Sequence, residues 1–111
     1  MLFRSIARLN AEFCPSAAPL VLTKPVTAAY AQAKAALRDF GLVLVAENPD
    51  EGRLEATATG LIYGFKDDLV LRIQPQGLGS RIDVRSIGRL PRPDLGANCR
   101  RATALLDALR G

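Results

Sequence analysis

Residues 68–87, DLVLRIQPQGLGSRIDVRSI, decide the fold. Leu69, Leu71 and Ile73 fall on every second position, and after a Gly-rich segment at 75–80 so do Ile82 and Val84. Asp83 and Arg85 occupy the places between. A period of two is the pattern of a strand with one buried face. Pairing Leu71 with Val84 and Arg72 with Asp83 brings both apolar sets to a common side. A slip of one residue would turn that side to water, so the hairpin specifies its own register.

The same test extends outward. Residues 53–65 alternate, with Leu54, Ala56, Ala58, Gly60 and Ile62 on one face and Glu55, Thr57, Thr59, Leu61 and Tyr63 on the other. A two-residue loop at Lys66 and Asp67 pairs Ile62 with Leu71 and Leu61 with Arg72. Residues 42–47 are apolar, and Asn48, Pro49, Asp50, Glu51 and Gly52 make a turn. That turn pairs Leu44 with Ala56 and Val45 with Glu55. Upstream, residues 25–40 read as a helix. Pro25 suits a first helical position, Val26, Tyr30, Ala33, Leu37 and Phe40 share one face, and Gly41 supplies the left-handed residue that ends helices. Downstream, residues 90–93 are a proline-rich connection and Asp94 is an N-cap. Leu95, Cys99, Ala102, Leu106 and Leu109 form a second helical stripe. The expectation is an α+β fold: a two-layer sandwich in which a four-stranded antiparallel β-meander packs on two helices, in the order α-β-β-β-β-α. Residues 1–20, punctuated by Pro15 and Pro19, read as an arm or remnant, and 21–111 as one domain.

Composition narrows the function. The chain has 111 residues, 49% of them hydrophobic and 23% charged, with 15 Lys and Arg against 11 Asp and Glu. Up to Ser80 the charges cancel. The excess comes from the seven arginines from Arg81 onward, set against Asp83, Asp94 and Asp107. The absence of histidine removes His-based nucleophile systems and His-ligated zinc. Cys14 and Cys99 are too few for a four-ligand metal site. Cys99, on the apolar stripe, reads as a buried free thiol, with a Cys14–Cys99 disulfide the alternative. No apolar run is long enough to span a bilayer, and charges interrupt the N-terminal segment where a signal peptide would be apolar. Localisation is left open, cytoplasmic by default.

Four blocks carry a resemblance: LEATAT from residue 54, GFKDDLVLRI from 64, RIDVRSIGR from 81 and DLGANCRR from 94. In this order and spacing they resemble a bacterial and plastid family catalogued as domain of unknown function number fourteen ninety-nine. With the helix at Pro25 the match covers about four-fifths of the chain. The chain keeps Phe65, Asp67, Asp68, Arg85, Ser86, Arg89, Asp94, Leu95, Gly96, Asn98 and Arg101 of the family pattern. It departs at Gly88, Pro91 and Pro93. The resemblance implies no activity. It implies relatives that are membrane-attached or exported, and membrane association here would need a segment absent from this chain.

The register gathers Asp67, Asp68, Arg85, Arg89, Asp94, Asn98 and Arg101 at one end of the sheet. One reading is structural: Arg85 or Arg89 bridges the carboxylates, while Asn98 and Arg101 tie down nearby carbonyls. Another is a site for a small anion or phosphorylated ligand, made by arginines beside a helix start. A divalent metal on Asp67, Asp68 and Asp94 is opposed by the arginines, so no metal or other cofactor is expected. On the outer face Val43, Val45, Leu61, Tyr63, Val70 and Ile87 present more apolar surface than a solvated face usually does. That suggests cover by residues 1–20, by a protein partner or by a second copy in a homodimer. A sequence pI near 9.6 permits nucleic-acid binding, but the absence of Trp and the 5% aromatic content leave no stacking platform. The leading expectation is a non-catalytic binding or scaffold domain, then anion binding, then nucleic acid. An enzyme is least supported, because no acid/base pair, nucleophile system or phosphate loop is visible.

Overall fold

A computed structural model describes residues 18–59, 66–88 and 97–110. Its elements run β1 (Leu20–Leu22), α1 (Val26–Asp39), β2 (Val43–Asn48), β3 (Arg53–Thr59), β4 (Lys66–Gln76), β5 (Gly79–Gly88) and α2 (Ala97–Arg110). The sheet is antiparallel and five-stranded, in the order β1-β5-β4-β3-β2. The fold is therefore α+β, with one strand more than the meander expected. The extra strand is β1, whose Leu20 pairs with Ile82 and Leu22 with Ser80. Three residues between two prolines carry no measurable period, which is why the alternation test passes over them.

The central hairpin has the register its alternation dictates: Leu71 opposes Val84 and Arg72 opposes Asp83. Only Gly77 and Leu78 separate its strands, so the turn is tighter than the 75–80 segment suggested. Pro75 is tolerated inside β4 because it lies beyond the last β3 pair, Arg53 with Arg72. Ile73 donates its N–H to Gly52 O at 2.7 Å. Two residues on, the missing N–H of Pro75 would face the same open side, so no ladder bond is lost.

The β3–β4 register differs from the expected one. Leu54, not Ile62, opposes Leu71, and Arg53, not Leu61, opposes Arg72. Lys66 and Asp67 belong to β4, and the expected strand positions 60–65 lie outside the described residues. The displacement is eight positions, an even number, so the inward set stays inward in either arrangement. Alternation fixes parity and leaves loop length undetermined. Lys-Asp also lacks the residues that tolerate positive φ at both centres of a two-residue hairpin. In β2, Leu44 opposes Ala56 as expected, but Ala46 rather than Val45 faces Glu55. Val45 is the extra residue of a bulge.

Inward residues Leu54, Ala56, Leu69, Leu71, Ile73, Ile82 and Val84 form one buried cluster with the helices. Helix α1 contributes Ala29, Ala33, Ala36 and Leu37, and α2 contributes Ala102, Leu105, Leu106 and Leu109. Small alanines let α1 sit close to the sheet. The expected stripe holds at Ala33 and Leu37, which are buried, and at Val26 and Tyr30, which pack against the core; Phe40 is 39% exposed, and Ala29 and Ala36 widen the buried face. Pro25 is the N-cap of α1 rather than its first helical residue. Its C-terminus closes as a Schellman motif: Gly41, at φ 75°, donates its N–H to Arg38 O at 2.9 Å, and Leu42 donates to Leu37 O at 3.0 Å.

Cys99 is half-buried against the core and is disulfide-bonded. This corrects the expectation of a free thiol. A stripe position is compatible with either state of a cysteine, so periodicity could not distinguish them. Cys14, the other cysteine of the chain, lies outside the described residues.

Candidate functional site

Inward positions of β4 and β5 continue past the core into a polar end. Asp67 opposes Gly88 and Leu69 opposes Ser86, so the Asp67 and Ser86 side chains share the helix-facing side. Both are buried, with Asp67 3% exposed. Arg101, one turn before Leu105 on α2, donates from Nη1 to Asp67 Oδ2 at 3.0 Å and to Ser86 Oγ at 3.2 Å. A buried carboxylate needs such donors, and a guanidinium supplies them while retaining its own proton. The result ties α2 to the centre of the sheet. A guanidinium does no acid–base work at neutral pH, so this cluster's chemistry is that of a fastening.

Of the seven residues expected to converge, the four whose side chains are described are thus divided by the sheet. Asp67 and Arg101 meet. Asp68 and Arg85 point to the opposite face, where Thr57 Oγ1 donates to Asp68 Oδ1 at 3.5 Å and Arg85 lies opposite Val70. Arg85 is therefore not the cation bridging Asp67; Arg101 is, with a carboxylate rather than a carbonyl as its acceptor. The reason is parity: Arg85 is odd against the inward set of Ile82, Val84 and Ser86. Asn98 is in the first turn of α2, its side chain outside what is described. Arg89 and Asp94 lie outside the described residues.

The larger feature lies at the open edge of the sheet beside the β2–β3 turn and draws mainly on the outer face. A groove of about 1020 Å³ is lined by the turn residues Pro49, Asp50, Glu51 and Gly52, by Arg53, by Val70, Arg72, Ile73, Gln74 and Pro75 of β4, by Arg85 and by Val26. Arg53 and Arg72 are direct cross-strand partners. Arg53 Nη2 donates to Glu55 Oε1 at 3.1 Å, and Tyr30 Oη donates to the Arg53 carbonyl at 3.1 Å, linking α1 to the start of β3. Burial and then the positive charge of Arg53 lower the Arg85 guanidinium from the ordinary arginine range. Asp83 stands opposite Arg72 across the strands, as expected, and Arg81 Nε also meets it at 3.5 Å. Burial raises the Asp83 carboxyl above its ordinary value, against the opposing pull of Arg81 and Arg72.

One wall of the groove depends on Gly52. At φ 68° it accepts the Ile73 N–H, and a Cβ there would stand 2.0 Å from Ile73 O. The turn is therefore held flush against β4 by a contact that only glycine permits.

The described parts of the motif blocks lie on β3, β4, β5 and α2. The family model described as Protein of unknown function (DUF1499) matches residues 4–109. The chain belongs to this family. No curated protein matches it. Membership of DUF1499 carries no activity, so the function has to be read from the geometry. Among the described residues of this DUF1499 chain, no group of three or more Cys, Asp or Glu side chains is placed to hold a metal ion. Among them, no helix is long and apolar enough to cross a membrane.

Sequence reasoning passed over Arg53 as part of a site. Its proximity to Arg72 and Arg85 depends on the β3–β4 register, for which alternation supplies parity alone. The mismatch of Lys-Asp with a two-residue turn was the available signal.

Proposed function

We propose that this DUF1499 domain is a non-catalytic binding module whose working surface is the outer sheet face together with its open edge at the β2–β3 turn. The observation that carries the reading is the groove of about 1020 Å³, of the size of small-molecule sites, with three guanidiniums gathered over an apolar floor at Val70. The Asp67–Arg101–Ser86 cluster is enclosed on the other side of the sheet and serves stability. In the same reading the helices form one layer and the sheet the second, since both helical stripes share one core with the inward strand residues. Disulfides persist in oxidising surroundings, so the bonded state of Cys99 favours work in an oxidising compartment over the cytoplasm.

A fragment screen by nuclear magnetic resonance tests the reading. Perturbed amides should concentrate at Gly52, Val70, Arg72 and Arg85. Perturbations centred on Asp67, Ser86 and Arg101 would contradict it. A second reading, contact with another copy along β2, is favoured by Val43 and Val45, which are 63% and 58% exposed. Light scattering that returns a monomer at high protein concentration removes that reading and leaves the first intact.

A further inference from the structure

We propose that residues 1–17 of this chain lie across the outer face of the sheet, from β5 to β3, and close the side of the groove that faces away from the β2–β3 turn. The inference goes beyond the groove as a working surface and does not depend on it.

Three groups on the outer face are hidden from water. Thr57 and Asp83 alternate with the inward residues Ala56, Ala58, Ile82 and Val84, so both point away from the helices, yet each is 7% exposed. Arg85, the next outward residue on β5 and part of the groove, has its Nη1 atom buried. Neighbours within the sheet do not account for Thr57. It stands between Asp68 and Val43, and Val43 is itself 63% exposed. On the solvated face of an antiparallel sheet a threonine so placed stays wet. Both helices pack on the other face, with the inward core. The cover therefore comes from outside the described elements. Val43 on β2 and Val21 on β1 remain more than half exposed, which confines it to a strip over β5, β4 and β3.

Chain geometry selects the segment. Thr59 and Lys66 are direct partners, so residues 60–65 leave and return at one point and reach out by roughly 10 Å. Asp83 opposes Arg72, six positions along β4 from Lys66, and is about 20 Å away. Residues 89–96 leave β5 at Gly88, beyond Asp83, and return to α2 at Ala97 on the helix side. Residues 1–17 arrive where the cover is needed. Leu20 opposes Ile82, so the chain upstream of β1 comes level with Asp83 at the sheet edge. From β1 to β3 is three strand spacings, about 14 Å, and seventeen residues span up to about 56 Å.

The segment has the chemistry of a cover. Leu2, Ile6, Leu9 and Phe13 recur at steps of four, three and four residues, the spacing of a single apolar side, with Arg4, Arg8 and Glu12 between them. The family match begins at residue 4, so most of the segment belongs to the family's domain. In this arrangement the disulfide partner of Cys99 is Cys14, the other cysteine of the chain. Cys99 precedes Arg101, which reaches Ser86 near the end of β5. The bond thus anchors the segment at the end of the sheet that holds Thr57, whose partner Asp68 opposes Ile87.

The test is a nuclear Overhauser spectrum of the full, unreduced chain, read at the Thr57 methyl group. Cross-peaks to Ile6, Leu9 or Phe13 are expected. A mixture of labelled and unlabelled copies separates contacts within a chain from contacts between chains. Cross-peaks found only between copies would assign the cover to a second protomer and overturn the proposal. Cross-peaks confined to residues 60–65, or an absence of long-range peaks at Thr57, would overturn it as well. Thr57→Arg adds a second readout. It should lower the melting temperature by roughly 5 °C or more and speed proteolysis within residues 1–17 by about tenfold. Thr59→Arg, at an exposed position on the same face of β3, should leave both unchanged, and equal effects from the two variants would contradict a local cover. If Thr57→Arg does not fold, the spectrum of the parent chain still decides. The groove is scored separately, by ligand perturbations at Gly52, Val70 and Arg72, so either reading can fail while the other stands.

Discussion

Removing Asp67 should cost the fold more than any exposed charge can. Its side chain is 4% exposed and that of Arg101 is 21% exposed, with 3.0 Å between Oδ2 and Nη1. Taking one partner from a buried pair costs about 3–5 kcal/mol, because the other charge keeps its desolvation and loses its compensation. Arg101 retains some access to water, so Asp67→Ala belongs near the lower end, about 3 kcal/mol. Arg101→Ala strands the more buried member and should cost more. For a domain of this size the loss in melting temperature for Asp67→Ala is roughly 12 °C or more. Urea unfolding of both single variants and the double variant gives the coupling, expected at about 2 kcal/mol. Asp107 and Arg110 provide the control, a 3.2 Å pair whose side chains are 59% and 55% exposed, with an expected coupling below about 0.5 kcal/mol. The fastening is refuted if Asp67→Ala costs less than about 1 kcal/mol, or if its coupling to Arg101 is no larger than that of the exposed control.

Gly52→Ala should destabilise by at least about 2 kcal/mol, because strain at φ 68° adds to a backbone clash at Ile73; an unchanged urea midpoint would mean the turn does not lie against β4. For Asp83 the folded carboxyl is raised, so the native state holds that proton more tightly than the unfolded chain. Its contribution is most favourable at low pH and is lost as pH rises through the folded-state value. Asp83→Asn should therefore compare best with the parent near neutrality and lose that advantage toward about pH 4; an advantage that grows on acidification contradicts the sign. Reduction with dithiothreitol should lower the unfolding midpoint, with a cost of about 2–5 kcal/mol. A free thiol titrating in the unreduced protein would dispose of the bond at Cys99.

How much of this was legible depended on what each stretch of sequence could constrain. The β4–β5 hairpin was readable because its alternation is strict and a glycine stands in its turn. The β2–β3 hairpin was readable until Val45, where the unbroken apolar run 42–46 offers no phase, and the bulge passes unseen. One consequence is that Glu47 reaches the helix side, where Lys34 meets it at 3.0 Å. Asp67 was read as a turn residue because a carboxylate at an inward position looks like an error until its partner is known. That partner, Arg101, is thirty-four positions away, beside the buried stripe of a helix whose rotation the stripe alone set loosely: Leu105 was not among the expected contacts, yet it is fully buried. The arginines of the groove were individually visible and collectively hidden, since an even shift in one hairpin separates or unites them without disturbing a single core residue.

That hairpin is where the account is most exposed. With Arg53 opposite Arg72 the groove exists; with Leu61 opposite Arg72, Arg53 would lie eight residues along the strand, roughly 27 Å away, and no three-arginine site could form. Interstrand backbone nuclear Overhauser effects between β3 and β4 distinguish the two. Cross-peaks joining Arg53 to Arg72 and Leu54 to Leu71 are the predicted result, and cross-peaks joining Leu61 to Arg72 and Ile62 to Leu71 would contradict it.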